Sequence, residues 1–306
     1  MNTHMRKTIL PSSLALFIIT SALAVQTPEG GGKATITVTA IGKKDTAPAA
    51  ISKDDVQLTV RNERKQIAGW AKGDSLALGI LIDESLDTTV AGNWNDLREF
   101  IMAQPANTAV AVAYASNRTT MIAQDFTTDH AAAAKALRIP RGMVSGSSPY
   151  LSLINWLRRW PTNAGRASIL LISSGIDFFR GGGSPFYPDL DTVISNAQRG
   201  NVNLWSIYAP SAGHRSRSFF LVNMAQNNLS KMTYETGGET YFLGTGAPVS
   251  IKPYLEEIQM HLGNQYLLTF AGDGGARGSL VRVQLTTELP EVEFSHANNA
   301  FISPSK

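Results

Sequence analysis

The sequence predicts an α/β protein: a doubly wound, mostly parallel sheet, with a small flanking β-structure made by strands from both ends of the chain. Three observations carry this expectation. Apolar runs such as SLALGILID (75–83), TAVAVAYA (108–115) and ASILLIS (167–173) are continuous rather than alternating, the mark of strands buried on both faces. Segments of helical spacing lie between those runs, so strand and helix take turns as they do in a sheet covered on two sides. Toward both ends the pattern reverts to β-branched alternation, in ATITVTA (34–40) and VQLTV (56–60) early and in QYLLTFA, SLVRVQLTT and EVEFSHA late.

Taken in order, residues 1–24 read as an export signal. His4, Arg6 and Lys7 give a positive start, Ile9 to Ala22 an apolar stretch, and Ala22-Leu23-Ala24 a small-residue cleavage pattern. The apolar stretch is short for a membrane anchor and is interrupted by Pro11 and several hydroxyl residues, and no later span approaches membrane length. The expected location is therefore periplasmic or secreted, with no membrane span after cleavage. Residues 25–74 form an N-terminal β segment whose strands are separated by a polar Lys/Ala/Pro loop at 43–51.

The α/β domain is expected over 75–262. After the strand ending at Asp83 comes a helix over 95–102, then the strand 108–115 and an Ala-rich helix over 129–137 with Thr128 or Asp129 as its N-cap. A helix at 150–160, the strand 167–173, a helix at 189–198 and the strand 202–209 follow. A helix over 219–235, a short strand at ETYFL and a helix over 253–262 complete the series. Residues 263–306 return to strands joined by Gly- or Pro-containing turns, with DGGARG (273–278) as a hairpin-like connection, and are expected to pair with the N-terminal strands.

Composition excludes several classes. There is no cysteine, so no disulfide framework and no thiolate metal site. The formal charge is +3 and drops to +1 once Arg6 and Lys7 leave with the signal, without any basic block beyond pairs such as Arg158-Arg159, which argues against nucleic acid as a partner.

In a doubly wound sheet, ligands bind at the carboxyl ends of the strands. Three polar clusters fall there: Asp83-Glu84-Ser85-Leu86-Asp87, Ser145-Gly146-Ser147-Ser148, and Ser173-Ser174-Gly175-Ile176-Asp177. They offer hydroxyls and carboxylates only, the donor type a hard cation takes.

ALGILIDESLD, followed by GSSPYLSL and ILLISSGID, resembles the motif order of von Willebrand factor A domains, and more closely the VWFA-related subgroup common in acidobacterial secreted proteins. SKDDVQLTVRNERKQI before the domain, ETGGETYF near its end and NQYLLTFAGDGGARGSLVRVQL after it match that subgroup's layout. The resemblance implies a vWA/Rossmann-like domain that binds a protein partner. It also implies a metal ion-dependent adhesion site, written D-x-S-x-S with a Thr and an Asp on two further loops.

Carried over residue by residue, Asp83 and Ser85 match, Asp87 stands for the second Ser, Ser147 for the Thr and Ser174 for the Asp. The site is thus degenerate, although its two carboxylates are conserved in number through Asp87. Mg²⁺, or Mn²⁺ or Ca²⁺, is the cofactor such a set would take.

A hydrolase finds little support. The window around Ser174 lacks the G-x-S-x-G elbow, and His214, His261 and His296 are dispersed. Gly181-Gly182-Gly183 has no following Gly-Lys-Ser/Thr to make a phosphate cradle. Phe178, Phe179, Phe186 and Tyr187 could rim the site, whereas Trp94, Trp156, Trp160 and Trp205 read as core. The expectation is an exported, non-enzymatic protein-binding module. Its alternative is a structural or assembly protein of the cell envelope without a metal site.

Overall fold

The computed structural model describes residues 31–43, 48, 50–161, 165–181, 187–213, 218–242 and 249–305. The segment read as an export signal, His214 and Phe186 lie outside them. Residues 31–306 form one compact unit.

The long apolar runs form a six-stranded sheet. Its strands are β5 (Leu76–Asp83), β6 (Thr108–Ser116), β7 (Thr119–Thr127), β8 (Arg166–Ser173), β9 (Val202–Tyr208) and β10 (Thr240–Tyr241). Their order across the sheet is β10-β9-β8-β5-β6-β7, which is 3-2-1-4-5-6 when strands are counted within the sheet, the doubly wound order. All pairings are parallel except β6 with β7. The turn to β7 is made by Asn117 and Arg118, both at positive φ (47° and 65°).

Among the described residues, six helices cover the sheet: α1 (Trp94–Met102), α2 (His130–Lys135), α3 (Pro149–Leu157), α4 (Pro188–Gly200), α5 (Phe219–Glu235) and α6 (Lys252–Gly263). Two apolar cores form, one on each face. α1, α2 and α6 bring Leu97, Ile101, Ala133, Leu255 and Ile258 onto Leu78, Ile80 and Val112. α3, α4 and α5 bring Leu153, Trp156, Val193 and Leu229 onto Leu81, Ile169 and Leu171. This is why the strands carry no polar alternation: each residue faces a helix on one side or the other. Asp129 is the cap of α2, its side chain accepting from the backbone N–H of Ala132.

The remaining strands build two four-stranded antiparallel sheets. β1 (Gly32–Gly42), β4 (Gly69–Lys72), β11 (Gln265–Gly272) and β13 (Val292–His296) make one, in the order β13-β1-β11-β4. β2 (Val56–Val60), β3 (Glu63–Lys65), β12 (Ser279–Thr287) and β14 (Asn299–Ile302) make the other, in the order β14-β12-β2-β3. Their inner faces share one core of Ile36, Val38, Leu58, Leu268, Phe270, Val281 and Val283. Burial alternates along β2, where Val56, Leu58 and Val60 are buried and the residues between them half-buried.

Polar contacts join this sandwich to the α/β layer. Asn201, in the left-handed conformation at the end of α4, accepts from the backbone N–H of Thr37 at 2.7 Å. Gln198 Oε1 accepts from Asn299 Nδ2, and the backbone N–H of Asn298 reaches Glu235 O. α6 runs directly into β11, so the two layers also share a covalent joint at Asn264.

Candidate functional site

Asp83 is the last residue of β5 and is fully buried. Register explains what it meets. Ile82 lies beside Ile172 in the parallel pairing of β5 with β8, so Asp83 stands opposite Ser173. Ser173 Oγ donates to Asp83 Oδ2 at 2.7 Å. Asp83 Oδ1 accepts from the Ser85 backbone N–H at 2.9 Å and from Ser147 Oγ at 3.3 Å. Burial raises the carboxyl's pKa above its ordinary 3.8, and the donors from Ser85, Ser173 and Ser147 oppose that rise.

The loop carrying Ser147 is fixed by its neighbours. Phe179 donates its backbone N–H to Ser147 O, and the Met143 N–H goes to Glu84 O. Glu84 is buried beside Asp83. It holds Arg138 in an ion pair, and its Oε2 accepts from the Arg141 N–H at 2.8 Å. The Arg138 guanidinium in turn lies 3.8 Å from the centre of the Tyr114 ring.

Ser148, the next residue, works twice. It caps α3 by accepting from the Leu151 N–H, and it donates to Asp177 Oδ2 at 2.9 Å. Asp177 is a second buried carboxylate, and Oδ1 accepts from the Arg180 N–H at 3.0 Å. Burial raises its pKa as well. Consecutive serines thus each donate to a different buried carboxylate.

Of the five predicted site residues, Asp83, Ser85 and Ser147 meet at one point. Ser85 Oγ is buried and close enough to Asp83 to lower its pKa, yet finds no partner at hydrogen-bonding geometry among the described residues. Asp87 caps the following 3₁₀ turn, Oδ1 accepting from the Thr89 N–H and the Thr89 hydroxyl. Ser174 is buried, and its Oγ accepts from the Ile176 N–H at 3.4 Å. The oxygen that reaches Asp83 from this loop belongs to Ser173 instead.

A hard cation asks for several oxygens around one centre and for negative charge to balance its own. The second carboxylate that Asp87 would supply is turned to a cap, and both oxygens of Asp83 already accept from neutral donors. Of the five, Asp83, Ser85 and Ser147 are brought together, while Asp87 and Ser174 make hydrogen bonds within their own turns.

Sequence reasoning passed over Ser173, Ser148 and Asp177 as site residues. A signal for Ser173 was present: Asp83 and Ser173 are each the first polar residue after an equivalent apolar run. Asp177 carried no comparable signal, because only the loop's return past Ser148 brings the two together.

No family model matches the chain and no curated protein matches it. Among solved structures, it is similar to an aerotolerance-related membrane protein from Bacteroides fragilis, at 11% identity and TM-score 0.43, over 61% of this chain and 98% of that one. It is also similar to the SpRpn10 VWA domain, at 15% identity and TM-score 0.36, over 60% and 94% respectively. A third is the manganese-loaded TRAP protein of Plasmodium vivax, at 11% identity and TM-score 0.40, over 75% and 96%. The fold is a mixed α/β domain whose central sheet is mostly parallel and doubly wound, flanked by antiparallel sheets.

Proposed function

We propose that this chain is an exported, non-enzymatic protein-binding module. It would use the carboxyl edge of the central sheet as its recognition surface, over a degenerate metal ion-dependent adhesion site. The observation that carries the reading is the distribution of exposed large apolar side chains. Ile139 and Met143 lie in the loop that returns past Glu84, Phe179 in the loop after β8, and Phe219 and Phe220 on the first turn of α5. Phe219 and Phe220 are 72% and 68% exposed. These are five of the eleven exposed large apolar side chains among the described residues, and their places in loops and a helix start after the sheet strands support a protein partner more than a polar small molecule. Arg118 stands 4.5 Å from the Phe179 ring centre, so the same edge presents a cation, which favours a partner with acidic groups beside its apolar ones.

In this reading the Asp83 cluster is a joint. One carboxylate gathers donors from the turn after β5, the end of β8 and the loop before α3, and so fixes the loops that carry the apolar groups. No residue among those donors is oriented as a nucleophile with an attendant base: Ser173 and Ser147 donate to a carboxylate, with no imidazole between.

The test compares three variants in capture of a partner from envelope extracts and its rebinding in purified form. Phe179→Ser and the double variant Phe219→Ser/Phe220→Ser should each abolish binding. Substitutions on exposed positions of β12 should leave it intact, and the reverse result would favour an assembly role for the sandwich. Calorimetric titration of Mg²⁺, Mn²⁺ and Ca²⁺ with Asp83→Ala as control should show no saturable binding lost on that substitution, up to about 1 mM.

A further inference from the structure

Away from the Asp83 cluster, a second group of chemistry-bearing side chains meets at the free edge of the central sheet. A carboxylate oxygen of Glu239, one of Glu257 and a ring nitrogen of His261 all lie within 4.8 Å of one another. Points so close fit inside a circle of radius about 2.8 Å, so an ion at its centre needs shifts of at most about 0.6–0.8 Å to reach the 2.0–2.2 Å of zinc–nitrogen and zinc–carboxylate bonds.

Three features of the chain converge to put them there. Glu257 and His261 are four residues apart on α6, one turn on the same helical face. Glu239 immediately precedes β10, and its carbonyl accepts from the Ser206 N–H at 2.9 Å, which pins it to β9. Gly238 permits that approach, since a Cβ there would lie 2.1 Å from Leu204 O.

The surroundings are those of a site with a fixed inner wall and an open outer one. His261 is buried against Trp205, ring centres 5.5 Å apart. Glu257 is half-buried and Glu239 exposed, so the cluster opens to solvent on the strand side. The Tyr241 hydroxyl, 3.5 Å from Glu239 Oε2, is an adjacent donor. Burial and the two carboxylates push that phenol's pKa up, so it stays protonated.

We propose that Glu239, Glu257 and His261 form a binding site for a divalent transition-metal ion, Zn²⁺ foremost. Two carboxylates balance the charge of the ion, and an imidazole nitrogen favours zinc over magnesium or calcium, which prefer oxygen alone. The fourth position falls to water on the side of Glu239. The bound ion staples α6 to the edge strand of the central sheet, just ahead of the joint into β11.

The test is calorimetric titration of Zn²⁺ alone into the chelator-treated full chain near neutral pH, with Mg²⁺ in parallel. Saturable binding at one ion per chain is expected, with a dissociation constant at or below the micromolar range, no comparable Mg²⁺ binding, and a rise in Tm on saturation. Glu239→Gln and Glu257→Gln, both at accessible positions that need not disturb folding, should each weaken Zn²⁺ binding at least about tenfold. Asp83→Asn should leave it unchanged. Three results would overturn the proposal: no saturation by about 1 mM Zn²⁺, an affinity untouched by both Glu substitutions, or loss of binding on Asp83→Asn.

Discussion

The carboxyl edge of β5 and β8 and the start of β10 both gather carboxylates, under opposite conditions. Asp83 is wholly enclosed and accepts hydrogen bonds from serines of one loop, the end of β8 and its own turn. Glu239 is exposed, Glu257 half-exposed, and both face an imidazole with an aromatic wall behind it. Enclosure by neutral donors satisfies a carboxylate without a cation and turns it into a structural joint. A nitrogen ligand with a solvent-facing side leaves a group of side chains able to take an ion from solution. The polar pattern at the strand ends is therefore the better-formed hydrogen-bond network, and the pattern at the sheet's free edge is the better-formed ligand set.

The strongest way to break this comparison is at Gly238. A Cβ there would lie 2.1 Å from Leu204 O, and backbone cannot move aside as a flexible side chain would. Gly238→Ala should cost about 3 kcal/mol, read as a shift in urea denaturation midpoint. It should also remove Zn²⁺ binding while sparing the Asp83 network. A smaller loss is expected for Asp83→Ala. It strands the Ser85 N–H and the Ser147 and Ser173 hydroxyls in a buried site, and about 2 kcal/mol should be lost by the same measurement.

Ser173→Ala should cost about 1 kcal/mol, because Asp83 loses a donor and the Gly175 N–H, 3.0 Å from Ser173 Oγ, loses its acceptor.

Asp83→Asn sharpens the comparison through pH. Burial raises the native pKa of Asp83 above 3.8, so the folded chain holds this proton to higher pH than the unfolded chain does. Stability contributed by the group is therefore full below 3.8 and is lost as pH rises through the native value. An amide never pays this ionisation cost. Asp83→Asn should thus be within about 1 kcal/mol of the unaltered chain near neutral pH and fare relatively worse as pH falls toward the ordinary carboxylate range. Denaturation curves at several pH values check the sign, and a relative gain by the Asn variant on acidification would refute the raised native pKa of Asp83.

Much of the central sheet was legible because burial on both faces leaves a plain signature. The runs ending at Asp83, Ala115 and Ser173 coincide with β5, β6 and β8 within a residue, and the helix 219–235 coincides with α5. β7 was not legible. TTMIAQDFT is largely exposed on an edge, with polar and apolar residues mixed, so nothing in its composition separates it from the loop before α2. β4 was missed for a like reason: four residues, GWAK, none of them fully buried, gain their strand character from pairing with β11.

At the candidate site, the sequence named Asp83, Ser85 and Ser147 and placed Asp87 and Ser174 with them. The structure sets Asp87 on the Thr89 turn and brings Ser173 to Asp83, since a one-residue step along a strand sends the side chain to the other face. Glu239, Glu257 and His261 were out of reach of any local pattern: Glu257 and His261 share a helix face, but Glu239 joins them only through the pairing of β10 with β9.

By itself the sequence determined the layer architecture, because apolar periodicity reports how many faces of each element are covered and needs no knowledge of partners. Register, edge pairing and the meeting of distant carboxylates were decided only by the tertiary structure. They depend on which strand lies beside which and on how far it slides, and that choice is made by packing between segments that carry no mark of one another in the chain.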